Sequence, residues 1–558
     1  MERNLQKLAR GSYDLVIVGG GIYGAAVAWE AVRRGLSVCL VEKSDFSSAT
    51  SANSLKIIHG GLRYLQHADL RRMRESNREQ QTLMRIAPHL IRSLPVLIPT
   101  YGHGIKGKEI LSLAVLVNRL IGCDLNLRRP RNSHAPLGRT VSRQEVLQLL
   151  SGIRSQGLTG GVIFYDAQVH NSERLLFSFL RSAGDAGADV ANYVEVTGFL
   201  EAADRVLGVQ ARDVLTGERF DVQAKTVVVA CGPWVDRVVG LLTRNKPRPS
   251  TQFAKAINLV TRPIFKTYAV GIFAQDGYRD ADAWIHKANR LLFFTPWRGR
   301  SLIGTEYFRC DEEPDNLSIT GGDIDNFLDG INRSCPAANL KRDEIAFVHR
   351  GLVPVSGSGG DDRSIQPTKH YQIRDHGPEG AKGLISVIGV KYTTARDVAE
   401  KVVDHIFHAS GQRPPKSDSS VVPLHGGDTG DFDAFLRDQI ATRPSGLGEE
   451  AVRHLVQNYG SAYREVLRYL DNGDRCVPPS DSADTALLEA EVRHGIRAEM
   501  AQTLADVIFR RTEMGSAGHP GGEVLRVCAD VMSAELAWDA SRKRQEIHEV
   551  QNVFSAWQ

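Results

Sequence analysis

The sequence predicts an α/β fold in which a wound parallel sheet is joined to an antiparallel-sheet domain and a helical tail. Three observations carry that expectation. Residues Tyr13 to Glu42 read as strand, glycine turn, helix and strand; further buried strands recur far downstream; and a Pro- and Ser-rich break precedes an Ala-, Glu- and Arg-rich C-terminal region. In the first unit Val16, Ile17 and Val18 form a buried parallel strand. Gly19, Gly21 and Gly24 then give G-x-G-x-x-G spacing at the mouth of a helix. Gly19 permits the tight turn, Gly21 lets the backbone approach a pyrophosphate, and Gly24 lets the helix pack against the strand. The unpaired amides of the helix start, from Ile22 onward, face the phosphates. Gly35 ends the helix, Leu36 to Val41 form the next strand, and Glu42, followed by Lys43, closes it as a ribose 2′-OH acceptor. The unit is a Rossmann-like dinucleotide site. Its acid disfavours NADP and leaves NAD and FAD undivided.

Composition narrows the rest. A chain of 558 residues with 42% hydrophobic content buries more than one core, so two or three domains are expected. The net charge of +4, with no basic run interleaved with exposed aromatics, gives no reason to expect nucleic acid. The seven cysteines are scattered without a C-x-x-C pair, which indicates neither a metal site nor a redox dithiol and fits a reducing compartment. The first ten residues lead directly into the nucleotide-binding strand, so no cleavable signal is expected. No stretch reaches the roughly 18 to 20 apolar residues of a spanning helix. The nearest, Ile110 to Ile121, is apolar around Asn118 and Arg119 and is followed by Arg128, Arg129 and Arg131. It reads as a buried core helix, or as a segment dipping into the face of a bilayer. The expected location is cytoplasmic, with peripheral contact on the inner face of a membrane left open.

After the nucleotide unit, Ser44 to Tyr64 reads SDFSSATSANSLKIIHGGLRY, rich in small hydroxyls and ending near a Gly-Gly turn. Such hydroxyls suit a ribityl chain and phosphates, while Lys56 and His59 add hydrogen-bonding groups. With GGGIYGAA, this stretch resembles the FAD-dependent glycerol-3-phosphate dehydrogenase family, which shows A-T-S-x-x-S-x-K-x-I-H-G-G-L-R-Y-L here. Thr50, Ser51, Ser54, Lys56, Ile57, His59, Arg63 and Tyr64 lie within it. The resemblance continues through Tyr165-Asp166-Ala167, Gly232-Pro233-Trp234, Pro296-Trp297, Ile303-Gly304-Thr305 and Gly389 to Thr394, and so spans nearly the whole chain. It implies an FAD-binding fold of the glutathione-reductase/D-amino-acid-oxidase type.

The later segments fit that fold. Thr226 to Asp236 is a strand running into a Gly-Pro turn, which brings Gly232 and Trp234 to the cofactor. Val196, in the strand Asn192 to Thr197, is placed to lie against the adenine. Leu384 to Lys391 is a buried strand that delivers Gly389, Lys391 and Thr393 to a helix start facing the flavin's pyrimidine end. The FAD-binding domain is expected from residues 1–240 and 345–410, a β-rich substrate domain from 241–344, and a linker with a helical packing or assembly domain from 411–558. A homo-oligomer is compatible with that last role.

The resemblance implies oxidation of a secondary alcohol, with hydride passing to flavin N5 and electrons going on to a quinone or to oxygen. Arg63 and Tyr64 are expected at the substrate and Lys391 at the flavin edge. Lys369 stands where the family pattern has an arginine, keeping the charge but losing the bidentate grip. Two departures bear on the reaction. The family's S-G-V-R-P corresponds to Arg350-Gly351-Leu352-Val353-Pro354, and its K-G-S-H to Lys255-Ala256-Ile257-Asn258. An arginine thus becomes Val353, and a histidine becomes Asn258, an amide unable to act as a base near neutral pH. Arg350, His349, His59 and Lys391 are the candidates to replace the lost groups. The substrate is therefore a phosphorylated polyol such as glycerol 3-phosphate or, alternatively, another alcohol or amine; a low-turnover FAD-binding partner protein is the third reading.

Overall fold

The computed structural model describes residues 1–61, 69–102, 138–243, 251–274, 290–356, 365–470 and 483–557. Arg63, Tyr64 and the apolar stretch Ile110 to Ile121 with its following arginines lie outside these residues.

Ser12–Val18 is the central strand, and its last four residues are all buried, as a strand covered on both faces requires. It pairs in parallel with Val38–Val41 on one side and Arg219–Val229 on the other. Asp189–Ala191 and Leu384–Ile388 extend the two flanks in parallel, and Gln372–Asp375 closes one edge antiparallel. Ile22–Arg33 packs on one face, between the helices Ser172–Asp185 and Ala395–Ala409. Its buried alanines 25, 26, 28 and 31 allow that close approach. On the opposite face the hairpin Val194–Ala202 and Arg205–Asp213 continues antiparallel from Arg219–Val229 and encloses a second core.

Among the described residues the second sheet has nine strands. From one edge they are Ile345–Val355, Gln252–Thr261, Arg300–Arg309, Leu291–Trp297, Ala269–Phe273, Ile91–Tyr101, Leu158–Val169 and Ile57–Ile58, with Arg139–Ser142 also on Leu158–Val169. Among these strands only Ala269–Phe273 and Ile91–Tyr101 pair in parallel. The stretch 241–344 therefore does not build this sheet alone. Ile345–Val355, expected in the nucleotide-binding part, is its edge strand, and four more strands come from before residue 170. Pairings between strands so far apart in sequence leave no mark in local pattern.

In the C-terminal region Glu449–Tyr459 is a helix. A later one, Ala483–Glu499, ends before Met500, which is left-handed, with φ 60°. Leu504, Val507, Ile508 and Phe554 share one hydrophobic core with the second sheet. Buried ion pairs fasten this region to the nucleotide unit. Arg511 donates to both Asp45 oxygens at 2.7 Å, and Arg174 grips Glu499 at 2.6 and 2.8 Å.

Candidate active site

Between the two sheets runs a cavity of about 520 Å³. Gly19, Gly21, Ile22, Glu42, Lys43, Val196, Gly232 and Trp234 line one part of it, and Asn258, Thr305, Val353, Gly389 and Lys391 another.

The glycine turn is shaped by close approach. A Cβ on Gly24 would stand 1.9 Å from the Gly19 carbonyl, and one on Gly19, at φ +114°, would stand 2.7 Å from Cys231 Cα. Gly21 is the N-cap of Ile22–Arg33 and brings no capping side chain of its own; Ser51 takes the Ile22 amide instead, its Oγ accepting at 3.0 Å. Glu42 accepts from the Gly20 amide at 2.7 Å and the Ser44 amide at 2.9 Å. Burial raises its carboxyl above the usual range, against those two bonds and the Lys43 charge. Lys43 lies over the Trp234 ring, with its ammonium 4.3 Å from the centroid, and pairs with Asp315. Asp315 also accepts from Trp234 Nε1 at 2.9 Å and Arg237 at 2.6 Å. Thr50 and Ser54 line the cavity as well, and the Thr50 hydroxyl donates to the Leu352 carbonyl at 3.0 Å.

At the other end Tyr23, missed by sequence reasoning, fixes the late loop to the first helix. Its hydroxyl donates to the Lys391 carbonyl at 2.7 Å and accepts from the Val390 and Lys391 amides at 3.2 Å each. Gly389 is required because a Cβ there would stand 2.0 Å from the Tyr23 ring. Thr394, the N-cap of Ala395–Ala409, likewise brings no capping side chain. Thr393 is buried one residue beyond the last lining residue, Tyr392.

Asn258 is 2% exposed. Its Oδ1 accepts from the Thr305 hydroxyl at 2.7 Å, and its Nδ2 donates to the Asn53 carbonyl at 3.3 Å. The amide ties roof to floor. Along the same row of paired strands Asn258 faces Gly304, which faces Phe293, and His59 lies 5.7 Å ring to ring from Phe293. His59 Nδ1 is 3.0 Å from Asp166 Oδ2, while Asp166 Oδ1 accepts from the Gly60 amide at 2.7 Å. With Nδ1 donating, Nε2 carries the lone pair. Sequence reasoning named His59 but gave Asp166 no role.

His59, Gly24 and Thr393 lie outside the cavity lining, and so do four further candidates. Lys56 is buried, donating to the Ala52 carbonyl and Ser172 Oγ at 2.6 Å and to Glu173 at 3.0 Å, so it holds loop to helix. Ile57 is in the short strand paired with Leu158–Val169. Arg350 lines a neighbouring cavity instead, because an odd number of strand positions separates it from Val353. Lys369 offers its carbonyl to Arg72 at 3.0 Å, and the adjacent His370 is held below its ordinary range by burial, then by Arg72 and Lys391.

An elongated cavity between a parallel sheet and an antiparallel roof, with two helix starts whose N-caps bring no capping side chain, fits FAD and defines a flavin-dependent oxidoreductase. The family described as FAD dependent oxidoreductase matches residues 14–393, and the C-terminal domain of alpha-glycerophosphate oxidase matches residues 417–543. A glycerol-3-phosphate dehydrogenase of Synechocystis sp. is 30% identical over 98% of both chains. The mitochondrial enzyme of Bos taurus is 29% identical over 96% of this chain and 72% of its own. The structure of glycerol-3-phosphate dehydrogenase from Bacillus halodurans, complexed with FAD, superposes with a TM-score of 0.76 at 25% identity, covering 99% of this chain and 96% of that one. This chain belongs to the FAD-dependent glycerol-3-phosphate dehydrogenase family. It is an FAD-dependent oxidoreductase.

Proposed function

We propose that the protein oxidises the secondary alcohol of glycerol 3-phosphate to the ketone, giving dihydroxyacetone phosphate. The carrying observation is the single cavity that joins the glycine turn to the groups around Asn258 and Lys391. FAD, when bound, supplies the hydride acceptor. Gly21, Ile22 and their turn hold its phosphates, Glu42 its ribose, and Tyr23 holds the Lys391 backbone against its pyrimidine end. His59 takes the hydroxyl proton at Nε2, oriented by Asp166, in place of the histidine absent at Asn258. Arg63, Tyr64, Lys369 and Lys391 supply the phosphate-binding and orienting groups that the family resemblance implies. Electrons pass on to a quinone or to oxygen.

One observation favours a second reading. Val353 lines the cavity where the family pattern has arginine, and this weakens the grip on a phosphate dianion and suits another alcohol or an amine. Anaerobic bleaching of the flavin by glycerol 3-phosphate supports the first reading, and bleaching only by other alcohols or amines supports the second. No bleaching across the panel, with FAD retained, leaves a low-turnover binding protein. Peroxide formation separates oxygen from quinone as acceptor. Among the described residues no helix is long and apolar enough to cross a membrane. Fractionation with and without high salt tests peripheral contact, and scattering mass tests a homo-oligomer.

A further inference from the structure

A second cavity, of about 370 Å³, lies where the loop 44–53, the edge strand Ile345–Val355 and the C-terminal residues 505–557 meet. It adjoins the first along the loop 44–53 and beside Lys43 and Trp234, while Asn258, Val353 and Lys391 line the first alone. Between the two, Thr50 donates to the Leu352 carbonyl at 3.0 Å and accepts from the Leu352 amide at 3.2 Å.

Two of its lining side chains lack a charged partner among the described residues. His349 is 1% exposed and packs edge-on against Phe347 and Trp297, and its ring nitrogens make no well-formed hydrogen bond there, with the Ser516 backbone the polar group beside them. Burial, then the Lys56 charge, holds it well below its ordinary range, so the ring is neutral, with one N–H to give. Arg350 is half-buried, and among the described residues its guanidinium meets no carboxylate. The other charges on the wall are engaged: Arg510 with Asp45 and Asp506, Asp315 with Lys43 and Arg237, Glu173 with Lys56. Phe347, Phe509 and Trp557 form an aromatic cluster on the same wall. A cation withdrawn from water without a counter-charge is a cost that an anionic ligand would offset.

We propose that this cavity binds a small organic anion, its carboxylate or phosphate group held by Arg350 and His349 and its planar apolar body lying against Phe347, Phe509 and Trp557. The ligand touches the outer side of the loop whose inner side lines the FAD cavity, and it also touches the C-terminal region. It is an effector site, separate from the substrate site.

The test titrates the FAD-loaded protein with para-fluorobenzoate, read by fluorine NMR, with para-fluorobenzyl alcohol as the uncharged control. Saturable binding of the acid is expected, with the alcohol at least about tenfold weaker and no displacement by glycerol 3-phosphate. Arg350→Met should weaken the acid about tenfold while the flavin spectrum reports an intact fold. Displacement by inorganic phosphate would assign phosphate as the preferred group, and its failure the carboxylate. The proposal is overturned by absence of saturation, by equal binding of acid and alcohol, or by displacement with glycerol 3-phosphate. Those three controls decide the matter even if the variant does not fold.

Discussion

The two ends of the cavity are built from different materials. Around Gly19 to Glu42 the wall is backbone: a helix start whose N-cap brings no side chain, glycines in van der Waals contact with carbonyls, and a carboxylate fixed by two amides. Around Asn258 and Thr305 it is side chains, oriented by one another or by a carbonyl of a different element. A wall of backbone keeps its shape while the sequence around it changes. A wall of side chains is open to change by single substitutions.

The contrast can be broken at either end. The largest effect is expected from Gly24→Val, which drives a Cβ into the Gly19 carbonyl. It should give colourless protein that takes up no FAD, and a variant with normal flavin content would refute the backbone account. Next, His59→Ala should lower the anaerobic rate of flavin reduction by about 10²–10⁴-fold while FAD stays bound, and Asp166→Asn should cost less. An unchanged rate would remove His59 as proton acceptor. Asp45→Asn leaves Arg511, fully buried, without its carboxylate, and should cost about 3–5 kcal/mol of stability by denaturant titration.

Asp45 also sets an acid limit. Burial would raise it, but Arg511 and Arg510 hold it at about 2, against an ordinary 3.8. Its folded value is depressed, so its contribution is present above the unfolded value and is lost as pH falls towards about 2. The alkaline limit is His454, raised by the Glu491 charge from 6.5 to about 9. This contribution, on the order of 3 kcal/mol, is full below the unfolded value and lost as pH rises through the folded one. Thermal unfolding at neutral pH and above the folded value measures it, and His454→Gln should flatten the difference. The smallest effect sharpens the substrate end. Asn258→His with Val353→Arg should raise turnover of glycerol 3-phosphate, and no gain would mean that those two positions do not carry the difference.

How much of this was legible follows from range in sequence. Gly19 to Glu42 could be read because turn, helix start and acid lie within one local unit. Gly389 and Lys391 could be read only as a strand end, and the reason for the glycine, the Tyr23 ring, lies far away. Lys56 follows residues that line the cavity, yet Glu173 on a distant helix claims its charge. Arg350 stood near Val353 in sequence, yet strand alternation sends it to the other cavity. Within the second sheet Leu291–Trp297 and Arg300–Arg309 are consecutive and form a hairpin, whereas Ile57–Ile58 and Ile345–Val355 join it from opposite parts of the chain, where no local pattern marks the pairing.

The Tyr23 hydroxyl bridges residues 368 positions apart. During synthesis the glycine turn therefore emerges long before the loop it must hold, and the central parallel sheet waits for Leu384–Ile388 to complete one flank. A nascent chain stopped before that strand has the fingerprint of a dinucleotide site but not the cavity, so FAD capture is a late event that reports completion of the fold.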